Sequence, residues 1–273
     1  MDRKFDPDHE IIIIGAGFSG IGCGISLLKA GFTDFLMVDD ADGVGGTWHW
    51  NTYPGIAVDI PSYSYQFSYE MRPDWSRTYA HGNELKGYAE QCVEKYKLGD
   101  HIRFNTTITA ACFDENATFW RLTTAKGEEI TARFVVNCSG VLSRPKWPEI
   151  QGVRDFAGVT LHTARWDDSE DLSGKRVAVI GTGASAVQLI PEIAKSRESD
   201  GLSANSNLLF AEARHPHTDV GWKASTFPAG GAIGDPDREP GVRRNHFPNR
   251  RSLSYGDTVR RCHGERRKAV HAA

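Results

Sequence analysis

Two glycine loops, each set between an apolar strand and an apolar helix, and an intervening run of alternating strands predict an α/β chain. The expected architecture is two Rossmann-like dinucleotide-binding units, the second truncated, with an antiparallel β insertion and a disordered tail. Residues 10–24, EIIIIGAGFSGIGCG, open the first unit. Four consecutive β-branched residues, Ile11 to Ile14, read as a strand buried on both faces of a parallel sheet. Gly15, Gly17 and Gly20 then supply G-x-G-x-x-G: a tight turn, a close approach of backbone to pyrophosphate, and room for the next helix to pack. That helix, residues 19–29 starting at Ser19, aims unpaired N–H groups and its positive dipole end at the phosphates.

Ala30-Gly31 ends the helix, residues 34–38 (DFLMV) form a second strand, and Asp39 stands at its end. A carboxylate there accepts the hydroxyls of an adenosine ribose and disfavours a 2′-phosphate. The alternative is a plain βαβ turn whose glycines serve tightness alone.

Composition narrows the function classes. A charged fraction of 25%, a hydrophobic fraction of 40% and a net charge of −3 over 273 residues describe an ordinary soluble protein and give no support for nucleic-acid binding. No apolar run reaches the roughly 20 residues of a membrane span, and MDRKFDPDHE lacks a signal-peptide core, so a cytoplasmic chain is expected. Cys23, Cys92, Cys112, Cys138 and Cys262 show no paired spacing, which predicts reduced thiols and no metal site. Charge is uneven: residues 1–196 carry 19 basic against 26 acidic side chains, and residues 197–273 carry 13 against 9.

Residues 40–50, DADGVGGTWHW, are too glycine-rich for a helix and too aromatic for a plain linker. Gly45-Gly46-Thr47-Trp48 suits a wrap around a planar ligand, with a surface turn as the alternative. Tyr53-Pro54-Gly55 is a turn, and Asp59 sits among small and apolar neighbours, either capping local backbone or facing a ligand. Residues 83–96 show helical spacing of Leu85, Tyr88, Ala89, Cys92, Val93 and Tyr96, with Asn83 as cap. Strands follow at 102–104, 106–113, 119–124 and 129–137, with a hairpin at Lys126-Gly127. Residues 133–140, RFVVNCSG, read as a buried strand that returns the chain to the first sheet.

The second loop lies in residues 175–196: a strand at 176–180, then Gly181-Thr182-Gly183-Ala184-Ser185-Ala186, then a helix. Alanine in the third position sets helix and strand slightly apart, which is compatible with a phosphorylated dinucleotide. A structural βαβ turn is the alternative. Two such loops suggest a resident redox cofactor and a visiting hydride donor. Between them, residues 156–167 (FAGVTLHTARWD) carry glycine and β-branched residues and read as a linker, with His162 a linker histidine rather than a base.

Phe156, Gly158, His162, Trp166 and Asp167 spell F-x-G-x-x-x-H-x-x-x-W-D. Together with both glycine loops, Gly45-Gly46-Thr47-Trp48, Tyr53-Pro54-Gly55 and Asp59, the chain resembles the type I Baeyer-Villiger flavoprotein monooxygenases over residues 11–195. The resemblance implies FAD contacts at Gly15 to Gly20, Asp39, Gly46, Thr47, Trp48, His49, Trp50, Asp59, Tyr65 and Ile108. It implies NADPH contacts at Gly181, Thr182, Gly183, Ala184, Ser185, Ala186, Val187 and Gln188, with Ala57, Val58 and Asp59. It further implies insertion of one oxygen atom of O2 into a ketone through a flavin peroxide, giving an ester or lactone, or oxidation of a sulfide. In that family Asp59 matches an active-site aspartate that orients an arginine, and His162 a residue of hinge geometry.

The family also carries an Arg-Thr pair for the ribose 2′-phosphate, and no such pair follows Ser196. The implied division is an FAD-binding part at 1–150 with an insertion at about 60–132, a linker at 151–172, the start of an NADP-binding part at 173–196, and a tail at 197–273. The tail holds only 15 large apolar residues in 77, and arginine outnumbers lysine 11 to 2. It reads as an aberrant or disordered basic end of the kind an out-of-frame message gives, attached to an amino-terminal half. A catalytically inactive flavin- and nucleotide-binding fragment is the alternative function. A disulfide oxidoreductase of the same fold is disfavoured by the lack of a C-x-x-C pair.

Overall fold

The computed structural model of the chain describes residues 6–148, 150–195, 208–212 and 259–261, the last two segments by backbone alone. Residues 1–214 with 258–273 make one compact unit; residues 215–257, grouped separately, lie outside the described residues.

The isoleucine run forms β1 (His9–Ile14), which pairs in parallel with β2 (Phe35–Val38) on one side and β6 (Glu129–Asn137) on the other. Being inside the sheet, β1 buries both faces: Ile12 and Ile13 are each 0% exposed. Ile13 joins the core beneath α1 (Phe18–Lys29) and α3 (Gly82–Lys95), while Ile12 joins Leu36, Val38, Leu122 and Ala132 on the opposite face. Each such side chain contributes about 1.5–3 kcal/mol of transfer free energy. α1 buries Gly20, Ile21, Gly24 and Ile25, spaced to form one helical stripe.

After β2 the glycine-rich segment turns once as α2 (Thr47–Trp50), where the sequence predicts no helix. Gly45 and Gly46, at φ +117° and +57°, bend the chain so that their carbonyls accept the amides of Trp48, His49 and Trp50. α3 starts at Gly82 with His81 as its N-cap; Asn83, the expected cap, accepts the amide of its neighbour Glu84 instead. Its buried face of Leu85, Tyr88, Ala89 and Cys92 matches the predicted spacing.

The strands β3 (Ile102–Arg103), β4 (Ile108–Asp114), β5 (Phe119–Thr124) and β6, with β10 (Val259–Arg261), complete a sheet of order β10-β4-β5-β6-β1-β2-β3. β4, β5 and β6 are antiparallel, and β6 then runs beside β1, so the insertion returns to the first sheet as expected. β6 is not the buried strand predicted, because β5 reaches only to Ala132 and Phe134 is left 56% exposed.

Residues 156–167, read as linker, contain β7 (Val159–His162). β8 (Arg176–Ile180) and α4 (Ala184–Ala194) follow the second-loop prediction. The tail, expected to lack order, contributes two strands. β9 (Leu208–Glu212) lies between β7 and β8, antiparallel to both, and β10 (Val259–Arg261) runs parallel to β4. The rest of 197–273 lies outside the described residues. Cys112 is in a disulfide, where a reduced thiol was expected, and in the sheet it lies opposite Arg260 of β10; Cys23, Cys92 and Cys138 are free. Among the described residues no helix is long and apolar enough to cross a membrane.

Candidate functional site

The first glycine loop is a cradle of bare backbone. Gly15, at φ +109°, donates its amide to Val38, and a Cβ there would strike the Cys138 carbonyl. A Cβ on Gly20 would strike the Gly15 carbonyl, so helix and strand touch where the third glycine requires it. Gly17 faces Gly46: a Cβ on the first would lie 3.4 Å from the Cα of the second, and one on the second 2.9 Å from the Cα of the first. Gly17 and Gly46 thus approach backbone to backbone, which a side chain on Gly46 would prevent, and the unpaired first amides of α1, with exposed Ser19 among them, stand beside this contact. This donor set fits a dinucleotide.

Asp39 is 8% exposed. Its Oδ2 accepts the Ala16 amide at 2.5 Å and its Oδ1 the Ala41 amide at 2.8 Å. Burial pushes its carboxyl up, and the two amides oppose that shift. Each oxygen keeps a lone pair for a ribose hydroxyl.

In α2 the Trp48 indole is buried and donates to the Tyr65 hydroxyl at 3.1 Å, with the rings edge-on at 5.6 Å. His49 Nε2 pairs with Asp42 at 2.9 Å, and its buried Nδ1 has no partner among the described residues. Trp50 lies under the Arg165 guanidinium, 3.9 Å from Cζ to the ring centre. Arg165 thus ties the segment after β7 to α2.

A cavity of about 650 Å³ lies between these parts. Thr47, Trp48, Tyr53, Ala57, Asp59 and Tyr65 line one side; His162, Thr182, Gly183, Ala184, Ser185 and Gln188 line the other, with Val141, Leu142, Arg144 and Lys146 bridging them. The volume is that of an ordinary small-molecule site. Its lining unites motifs that lie far apart in sequence.

Asp59 is exposed in this cavity, and no described side chain hydrogen-bonds or ion-pairs with it. Val58 is buried and donates its amide to Ala80, so it turns away from the cavity. His162 ends β7; its Nδ1 accepts the Ala164 amide at 3.1 Å, and burial, with Arg165 nearby, pushes its imidazolium below the usual range while the Lys146 backbone opposes this. On the second loop Gly181 has φ +142° and Gly183 caps α4. Ala186 is packed into the core with Val179 and Leu189, and Val187 points outward at 66% exposure.

Several expected contacts lie elsewhere. Ile108 packs against the core that holds Ile12 and Val38, outside the cavity lining. Phe156 and Gly158 lead into β7, Trp166 packs on the core of the second loop, and Asp167 accepts the Ser169 amide and hydroxyl, which hold its carboxyl down. Arg144, Lys146 and Arg165 were not singled out by sequence reading. Their only signal was positive charge in a loop, and it is the fold that brings them to the cavity or its edge.

Residues 12–207 match the family described as pyridine nucleotide-disulphide oxidoreductase. A Baeyer-Villiger monooxygenase of Pseudomonas aeruginosa is 47% identical over 184 residues, 67% of this chain and 35% of the relative. The solved cyclohexanone monooxygenase from Rhodococcus sp. Phi1 bound to NADP+ is 38% identical, with 71% of this chain and 37% of that one covered at a TM-score of 0.65. The solved OTEMO complex with FAD and NADP is 35% identical, with 73% and 39% covered at 0.67. The chain spans about a third of the length of the curated relatives it matches. With both glycine loops and the helices that follow them inside the matched residues, the chain belongs to the pyridine nucleotide-disulphide oxidoreductase family, and within it is similar to the Baeyer-Villiger monooxygenases.

Proposed function

We propose that the chain binds FAD on the first glycine loop and NADPH in the cavity beside the second, as the nucleotide-binding part of a monooxygenase that inserts one oxygen atom of O2 into a ketone. Sulfide oxidation is the related chemistry. The observation that carries this reading is the shared cavity, where Asp59, Trp48 and Tyr65 face His162 and the second loop. The names of the similar proteins, bound to FAD and NADP in solved form, support the same cofactors.

FAD would supply hydride acceptance and O2 activation. The chain's own residues bind and orient: the amides at the start of α1 hold one pyrophosphate, Asp39 a ribose, and the amides at the start of α4 the second pyrophosphate. Arg144 and Lys146 are the cationic side chains of the lining that a phosphorylated dinucleotide would meet. Asp59 would orient an arginine, and His162 would fix the hinge.

The test is to supply the chain with FAD, NADPH, cyclohexanone and isotopically heavy O2. The reading expects lactone carrying one heavy oxygen, formed one for one with NADPH oxidised. A second reading, nucleotide binding without oxygenation, is favoured by Asp59, which no described arginine engages. It expects retained flavin and no lactone.

A further inference from the structure

We propose that Gln188 is a clasp rather than a nucleotide ligand: its amide seats α4, and with it the second glycine loop, on the 53–57 turn, and so sets the affinity of the second nucleotide site. The nucleotide half of this statement rests on the reading of the cavity as an NADPH site.

A glutamine amide offers two acceptor lone pairs and two N–H donors. Here Oε1 accepts the Tyr53 hydroxyl at 2.8 Å and the Ala57 amide at 3.4 Å, while Nε2 donates to the Ala57 carbonyl at 2.9 Å. Three of its four hydrogen-bonding positions are thereby spent on a segment 131 to 135 residues away, leaving one N–H. Tyr53 is 5% exposed and its hydroxyl also bonds the Ser185 side chain, so loss of Gln188 removes one of its two side-chain partners.

The backbone reports the same contact independently. Gly55 has φ +81°, and a Cβ there would lie 2.5 Å from the Gln188 carbonyl and 2.7 Å from Glu192 Cγ, so the turn rests directly on the helix. Tyr53 and Ile56 pack into the core of the second region with Leu189 and Val179. At its other end the turn is fixed to the first region, because Ala57 bridges to His81 and Val58 donates to Ala80. Helix position therefore passes through Gln188 from one glycine loop's surroundings to the other's, and Asp59, two residues beyond Ala57, moves with the turn.

Hydrogen exchange on the full chain without nucleotide tests the clasp. Gln188→Ala should speed exchange about tenfold in residues 53–58 and 184–190 while 11–14 stay protected, since two to three bonds are lost. Gln188→Met, which keeps the side chain's length and apolar stem but makes none of these bonds, should speed it in the same segments to a similar extent, and decides the question if Gln188→Ala does not fold. Unchanged exchange in both variants overturns the clasp. NADPH titration supplies the second readout. The clasp predicts NADPH binding about tenfold weaker in Gln188→Ala, unchanged FAD affinity, and an intermediate value for Gln188→Glu, which still accepts from Tyr53 but cannot donate to Ala57. Weaker NADPH binding with unmoved exchange makes Gln188 a ligand and overturns the proposal. A parent chain that binds no NADPH defeats the cavity reading, and the exchange result still decides the clasp.

Discussion

At the first glycine loop backbone is pressed against backbone on three sides, Gly15 on Cys138, Gly20 on Gly15 and Gly17 on Gly46, beneath a strand paired on both edges. At the second, Ala186 takes the third position at 2% exposure, β8 is, among the described residues, an edge strand beside antiparallel β9, and a cavity opens in front of the loop. The same strand-loop-helix pattern is thus held rigidly in one place and leaves space in the other. Glycine is required where the backbone itself is the neighbour, as at Gly20, whereas at Ala186 a side chain is packed in the core with Val179 and Leu189. That contrast suits a cofactor that stays and a second that comes and goes.

The largest expected effect separates the two loops directly. Gly20→Val drives a side chain into the Gly15 carbonyl and should cost at least about 3 kcal/mol in urea unfolding. Ala186→Gly should cost about 1 kcal/mol, the helix-propensity difference. Equal losses would break the comparison. The free described cysteines, Cys23, Cys92 and Cys138, all belong to the first region. Burial pushes the Cys92 thiol up to about 11, so iodoacetamide at pH 8 should spare it in the parent chain and label it in Gly20→Val.

A smaller effect probes the tie between the regions. Arg165→Ala removes the cation lying over Trp50 and should cost about 0.5–1 kcal/mol, with a change in tryptophan emission and no gain in Cys92 labelling. Labelling that rises with it would mean the first region depends on the second.

The smallest effect is in pH. His162 titrates below its ordinary value of 6.5 in the folded chain, so its contribution to stability is full above that value. As pH falls through 6.5 the unfolded chain takes the proton first and stability declines, levelling off below the lowered folded value. Asp39 acts the opposite way: its raised carboxyl gains stability as pH falls through the folded value, complete below the ordinary 3.8. Once the intrinsic slowing of amide exchange in acid is divided out, protection at 159–166 should therefore fall between pH 7 and 5.5 while protection at 11–16 does not, and His162→Asn should flatten the first response.

Local sterics made much of this legible. Ile11 to Ile14 form the strand buried on both faces that their β-branched run predicts, and Gly15 and Gly20 fall where backbone contact excludes a Cβ. α2 was missed because two glycines at positive φ can start a helical turn as well as prevent one. β7 was missed because Val159 to His162 is too short to show alternation, and β9, which completes its sheet, comes from the segment with the weakest pattern. Convergence was the least legible feature: Asp59, His162 and Ser185 line one cavity, yet nothing in their spacing says so. The resemblance supplied those residues, and the tertiary packing of Tyr53, Gly55 and Gln188 supplies the reason they meet.

The most direct test of a resident flavin at the first loop and a visiting nicotinamide at the second is a spectrum. The chain is mixed with FAD, desalted and given NADPH without oxygen. Retained flavin absorbance that bleaches on NADPH addition is the predicted result. Flavin lost on desalting, or retained and left yellow by NADPH, would contradict it.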